Sequence, residues 1–362
     1  MNRPKARRPR YAAQTQPGFE IIAAREIAGL DGAAVRETRQ IGDKNGLVLF
    51  DFDGDPRALL ELRTVEDVFV VVLERRDVPP TYGALRELRD EMQRVPLEAA
   101  VALARAVKPG RGGQGKLRFR VVARQLGMAH YRRADAQQYV EKGILARSDR
   151  RWRLADENAL EFWLTIGHGE ALVLLRLSDE TLRHRARREH LPASLRPSAA
   201  AALVLLTRPR PTDVFLDPMC GAGTILIERG EAGRYRQLLG GDIRPEALAT
   251  AQANIGPRYQ PIALREWDAR DLPLDDASVT ACAVNLPFGQ QLGSPEENRG
   301  LYPAVLRELG RVLAPRARLA ALTGDTRAFE RAAERTPAFA PLESFPVLIL
   351  GRQARVYVLE RR

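Results

Sequence analysis

From residue 213 onward the chain repeats one pattern: a short, near-continuous apolar run, a turn of glycine, aspartate or proline, then a helical segment. The runs are DVFLDP (213–218), QLLGGDI (237–243), PIALREWDA (261–269) and VTACAVNLP (279–287), with RLAALTGD (318–325) after them. Strands that lack polar alternation are buried on both faces, and the intervening helices supply the covers. The pattern therefore confines this part of the chain to a largely parallel sheet in an α/β layer fold. FPVLIL and ARVYVLE read as two closing strands.

The 362 residues are enough for two or three domains with cores of their own. Residues 1–10 are a Pro/Arg tail with nothing to bury, expected to be disordered. YAAQTQPG, GFEIIAAREIAGL, GLVLFDF, DPRALLELRTV and DVFVVVLERRDV follow in the order strand, helix, strand, helix, strand. That order, close to βαββαβ, predicts a small ferredoxin-like unit over 11–76. After the Pro79-Pro80 break a second α+β module is expected over 77–180, with helices broken at Pro96, a strand at KLRFRVVARQ, a helix at ADAQQYVEKGILAR and strands in 151–178. Residues 181–205 read as a linker that ends in the helix SAAAALVLLT, and 206–362 as the α/β domain.

The formal net charge is +11, and its distribution points to a partner. Between Arg105 and Arg153 stand 14 basic residues against three acidic ones, Asp135, Glu141 and Asp149, a local excess of +11. A polyanion is the natural partner of such a stretch, because neutralising phosphates releases counterions; the bland reading is a solvated basic face. No run approaches the roughly 18 to 20 apolar residues of a membrane helix, and MNRPKARRPR lacks the apolar core of a secretory signal. A cytoplasmic location and a monomer are expected. The two cysteines, Cys220 and Cys282, and the scattered histidines form no metal-ligand pattern, so no metal is expected.

The chemistry collects at the ends of the apolar runs. In DPMCGAGT a strand ends in Asp217, Cys220 follows, Gly221 and Gly223 let backbone approach a ligand, and a helix starts near Thr224. Leu226 stands where a dinucleotide fingerprint needs its third glycine, and no Lys-Ser/Thr pair makes a P-loop. GGDI places Asp242, followed by Ile243, where an α/β fold receives ribose hydroxyls. WDARDLP offers Asp268, followed by Ala269, to an adenine amino group, and NLPFG places Asn285, Leu286, Pro287 and Phe288 at the fourth strand end. Singly each has a bland reading: Asp217 a turn cap, Asp242 and Asp268 helix caps, Asn285 a turn residue, Phe288 a core ring. Jointly, at four consecutive strand ends, they read as a site, since first and fourth strands are neighbours at a switch point.

These strand-end motifs resemble those of methyltransferases whose acceptor is an exocyclic amine, a poor nucleophile because its lone pair is delocalised. Acceptors aimed at its N–H groups, here the Asn285 side-chain oxygen and the Leu286 carbonyl, favour the pyramidal nitrogen that attacks. Pro287 stiffens the turn, and Phe288 offers a stacking face to a flipped base.

DPMCGAGT, GGDI, WDARDLP and NLPFG resemble the motifs of class I, Rossmann-like methyltransferases that modify exocyclic amino groups. The upstream units resemble the ferredoxin-like and THUMP modules of tRNA guanine-N2 methyltransferases, KLRFRVVARQ most of all. The resemblance implies S-adenosylmethionine as cofactor, held by Asp217, Cys220, Gly221, Gly223, Thr224, Asp242, Ile243, Asp268, Ala269 and Asn285. It implies guanosine 6 of the tRNA acceptor stem as target. Arg111, Lys116, Arg118, Arg124, Arg132, Arg133, Arg187 and Arg188 are the candidate RNA contacts. Guanosine 10, a ribosomal RNA guanine or adenine N6 remain open as acceptors, and an RNA-binding protein with an inactive domain is the alternative of another class. A nicotinamide dehydrogenase is disfavoured by the missing glycine and by NLPFG.

Overall fold

The computed structural model describes residues 8–42, 45–149, 151–185, 194–289 and 294–362. The first half runs β1 (Arg10–Thr15), α1 (Glu20–Ala28), β2 (Ala33–Ile41), β3 (Asn45–Phe52), a 3-10 turn (Pro56–Glu61) and β4 (Asp67–Arg76). It continues with α2 (Tyr82–Arg94), α3 (Glu98–Val107), β5 (Leu117–Leu126), α4 (Arg133–Leu145), β6 (Trp152–Leu154), β7 (Leu160–Gly167), β8 (Glu170–Arg176) and α5 (Glu180–Arg183). The second helix expected in the first unit is the 3-10 turn, capped by the Asp55 side chain on the Arg57 amide.

These strands form one sheet in the order β2-β3-β1-β4-β8-β7-β5-β6. A lone ferredoxin-like unit would leave one edge of β4 unpaired, an open template for aggregation. Here β8 pairs antiparallel along that edge, from Phe69↔Arg176 to Arg76↔Glu170. Residue 76 is thus no boundary in the sheet, and residues 11–76 and 77–180 share one apolar core on the helix side, including Val68, Leu85, Phe119 and Phe162.

The second half runs α6 (Pro197–Leu206), β9 (Val214–Asp217), α7 (Thr224–Glu231), β10 (Gln237–Asp242), α8 (Pro245–Ile255), β11 (Ile262–Glu266) and β12 (Val279–Asn285). It closes with α9 (Pro295–Val312), β13 (Leu313–Thr323), α10 (Thr326–Glu334), β14 (Phe339–Ile349) and β15 (Arg352–Arg361). The sheet order is β11-β10-β9-β12-β13-β15-β14, parallel through β13, with β15 antiparallel to both neighbours. Nine of the ten residues of α6 are buried, packed with Phe215, Leu226 and Val356. The expected linker therefore gives way before residue 197: α6 is a core helix of this half. Among the described residues no helix is long and apolar enough to cross a membrane.

Candidate active site

The strand order sets the site. β9 and β12 are adjacent (Cys282↔Leu216), and the connections from them leave in opposite directions across the sheet, so a crevice opens beyond their carboxyl ends. A cavity of about 390 Å³ lies there, walled by Asp217 and the turn after β9, Asp242 after β10, and the Asn285–Phe288 turn after β12. The sequence-predicted residues Asp217, Cys220, Gly221, Thr224, Asp242, Ile243, Asn285, Leu286, Pro287 and Phe288 all line it.

Local chemistry shapes each wall. Gly221 (φ +51°) and Gly223 (φ +77°) take left-handed backbone that a side chain would strain, turning the chain from β9 into α7. The Gly221 amide donates to Asp242 Oδ2 at 3.0 Å, and the Arg244 amide to Asp242 Oδ1 at 3.1 Å, so the acid braces the glycine turn across two strands. Gly241 is required for another reason: a Cβ there would overlap the Trp267 indole, whose Nε1 donates to the Pro218 carbonyl at 3.0 Å. Ile243 is 58% exposed, an apolar side chain left in the open at the cavity wall.

Asp217 is only 1% exposed, and the hydrogen bond it receives comes from the Met219 amide at 3.4 Å. Burial pushes its carboxyl well above the usual carboxylate range, and the nearby Asp242 adds to the rise. Such a group favours a cation beside it. Asn285 Oδ1 is buried with no hydrogen-bond partner among the described residues, an acceptor awaiting a donor. Phe288 rests on Gly324, where a Cβ would stand 2.7 Å from the ring.

Asp268, Ala269 and Gly223 stand outside the cavity wall. Both Asp268 oxygens are taken by Arg270, whose side-chain hydrogen bonds hold that carboxyl below its ordinary value. Gly223 instead lets α7 approach Ala251 and Ile255 of α8. Sequence reasoning missed the far wall: Ser194 and Leu195 ahead of α6, and Leu350 and Arg352 at the β14–β15 turn. It also missed Thr323, Gly324 and Asp325 behind Phe288, although TGD ends the fifth parallel strand and the same strand-end rule reaches it.

The basic candidates are dispersed. Arg111 donates to the carbonyls of Arg176 (2.9 Å), Leu177 (2.7 Å) and Ser178 (2.9 Å), a clasp on the chain leaving β8, and burial lowers its pKa. Arg124 is half-buried over the Trp163 ring at 5.7 Å, and Arg133 reaches the Ala123 carbonyl at 3.3 Å. Arg118 is half-buried on β5, while Lys116 and Arg132 are exposed. Arg187 and Arg188 lie outside the described residues.

Comparison with known proteins matches residues 185–354 to the family described as UPF0020, RMKL-like, methyltransferase domain. The tRNA (guanine(6)-N(2))-methyltransferase THUMP3 of Mus musculus is 35% identical over 217 residues, covering 56% of this chain and 43% of that protein. The chain spans about half the length of the curated relatives it matches. The crystal structure of TrmN from Thermus thermophilus superposes with a TM-score of 0.77 at 24% identity, over 98% of this chain and 100% of that one. A methyltransferase-like protein complexed with SAH superposes with a TM-score of 0.71 at 16% identity, over 97% and 98%. These likenesses run the length of the chain and show a shared fold, with a Rossmann-like sheet in the second half. Residues 185–354 are thus similar to the UPF0020, RMKL-like methyltransferase-domain family.

Proposed function

We propose that this protein is an S-adenosylmethionine-dependent RNA methyltransferase that methylates the exocyclic N2 of a guanosine in the tRNA acceptor stem, position 6 being the expected site. One observation carries the reading: Asn285 Oδ1, buried and unpartnered, in the wall of a cavity that it shares with the buried Asp217. An acceptor kept dry at a desolvation cost fits a ligand that brings an N–H donor.

The cavity residues fit the cofactor. The Asp217 carboxyl suits a ligand's cationic amino group, Asp242 suits paired ribose hydroxyls, and the exposed Ile243 suits an aromatic base face. S-adenosylmethionine supplies a methyl group on a sulfonium, already activated toward a weak nucleophile. The protein has to bring an amine to it in line and to accept from its N–H groups, which Asn285 and the Leu286 carbonyl do. No strong base is required, because transfer discharges the sulfonium and leaves a proton that the methylated amine gives up readily.

Guanine is favoured over adenine by Arg352, which lines the same cavity. A guanidinium matches the two acceptors, O6 and N7, on one edge of guanine, where adenine presents an amino donor. The family names agree: THUMP3 carries the name of a tRNA guanine-N2 enzyme. Lys116, Arg118 and Arg132 are the phosphate contacts proposed on the first sheet's half, where the +11 stretch lies.

Incubation of unmodified tRNA transcripts with labelled S-adenosylmethionine, followed by nucleoside mass analysis and mapping of the labelled nucleotide, tests the proposal. N2-methylguanosine in the acceptor stem is the expected product. Methylated adenine alone, or a protein that binds no S-adenosylmethionine by calorimetry, overturns it.

A further inference from the structure

The Asn285–Phe288 turn is backed by more polar chemistry than packing requires. Tyr302 and Asn298, four residues apart on α9, are both fully buried. The Tyr302 hydroxyl donates to the Pro287 carbonyl at 2.5 Å and lies 2.7 Å from the Thr323 hydroxyl at the end of β13. Asn298 Nδ2 donates to the same carbonyl at 3.3 Å and to Asp325 Oδ2 at 3.2 Å. Two acceptors facing Nδ2 fix the way round the amide sits, since turning it over would set oxygen against a carbonyl and a carboxylate. So held, Asn298 keeps its own Oδ1 buried without a partner among the described residues, a cost that an apolar residue of similar size avoids.

We propose that Tyr302 and Asn298 are positioning residues for methyl transfer, holding the Pro287 carbonyl and, through it, the Leu286 carbonyl and the Phe288 ring in place for the acceptor amine. The inference rests on the reading of this turn as the amine site. Neither residue lines the cavity, so both act through the turn alone. The Leu286 amide donates to the Leu322 carbonyl at 2.9 Å, which fixes the peptide before the Leu286 carbonyl. The two donors on Pro287 fix the segment after it, and the acceptor between is bracketed on both sides.

The anchor itself is braced. Asp325 takes Asn298 on Oδ2 and caps α10 through Oδ1 and the Ala328 amide at 3.2 Å, while its own amide donates to Thr323 Oγ1 at 3.0 Å. Gly324, between these two, seats Phe288. Burial raises the Tyr302 phenol well above its ordinary value, so it remains a neutral donor through the working range of pH.

The test uses the full chain, bulk unmodified tRNA and S-adenosylmethionine. Tyr302→Phe is expected to lower kcat ten- to a hundred-fold, leaving KM for tRNA and cofactor Kd within two-fold, and to speed amide hydrogen exchange over residues 286–289. Asn298→Ala is expected to act in the same direction, and the double variant to lose less than the product of the single losses, because both hold one carbonyl. Thr323→Val, which loosens Tyr302 from the other side, stands in should Tyr302→Phe misfold. Unchanged kcat with unchanged exchange overturns the proposal, as do KM and Kd moving in step with kcat, the mark of a general loss of structure. A wild-type protein that transfers no methyl to tRNA overturns the functional reading instead, and the exchange measurement, which needs no substrate, then decides the positioning role.

Discussion

Asn285→Ala separates a catalytic amide from a structural one, because the two roles predict opposite signs for stability. Among the described residues Oδ1 is buried without a partner, a condition that costs about 1–3 kcal/mol for a neutral polar group. Truncation removes that cost and leaves no sealed void, since the residue already borders a cavity of about 390 Å³. The variant is expected to be as stable as the wild type or more stable by up to about 2 kcal/mol, after allowing for lost van der Waals contacts. That is a rise in Tm of up to ~4–8 °C for a unit of 150–250 residues. Methyl transfer is expected to fall by about 10²–10³-fold, or ~2.7–4 kcal/mol, the loss seen when one preorganised hydrogen-bonding group is removed from a dry site. Asn285→Asp keeps an acceptor and should lose less. Differential scanning fluorimetry without cofactor and initial rates with saturating S-adenosylmethionine and tRNA measure the two quantities. A Tm drop of several degrees makes the amide structural, and full activity in the alanine variant removes it from the chemistry; either result refutes the reasoning.

Asp217, with its carboxyl raised by burial, favours the fold in its protonated form, so its contribution is present below the ordinary aspartate value and lost as pH rises through the raised one. The cofactor-free protein should therefore lose Tm more steeply than Asp217→Asn as pH rises above the ordinary aspartate value, while the variant binds S-adenosylmethionine more weakly, as calorimetry would show; parallel Tm curves sink the idea. Gly241→Ala sets a methyl into the Trp267 indole and should cost about 1–3 kcal/mol by overpacking, read from the urea midpoint, with weaker cofactor binding. Lys116→Ala and Arg132→Ala should each flatten the salt dependence of tRNA binding by about one unit of slope with little effect on stability. Arg111→Ala should instead lower Tm, because three carbonyls lose their donor.

The C-terminal half was legible because its strands are buried on both faces, and that constraint writes itself into consecutive residues: FLD, LLGGD and ACAVN need no partner to be recognised. Strand ends then located the acid at 242, the glycine turn and the Asn285 turn with no knowledge of contacts. What escaped was anything decided by residues far apart in sequence. The β4–β8 pairing joins residues about a hundred positions apart and leaves no local mark, so the first half read as two modules. Arg111 sits in a glycine-rich basic turn that looks made for phosphate, yet its guanidinium meets carbonyls from β8 onward. Tyr302 is a core-type residue at helical spacing, and only the fold reveals that its hydroxyl ends on Pro287.

Other contacts between residues far apart in sequence join the two halves, and under the proposed function they set how an RNA anchored on the first sheet presents a base to the second. Glu66, 2% exposed, accepts from Arg196 at 2.9 Å and from Ser198 at 3.1 Å, and Gln16 donates to the same Ser198 at 2.9 Å. Arg63 reaches Glu228 on α7 at 2.8 Å, and Phe19 packs in the core of the second half with Phe345 at its edge. Buried charges lose heavily when left without a partner, so these contacts resist being opened one at a time. α7 begins at the glycine turn and carries Glu228, which ties one wall of the cavity directly to the first half. A basic surface joined in this way works as a ruler. Under the proposed function, the nucleotide it delivers would be set by a fixed distance, with Arg352 in the cavity wall as the proposed base contact.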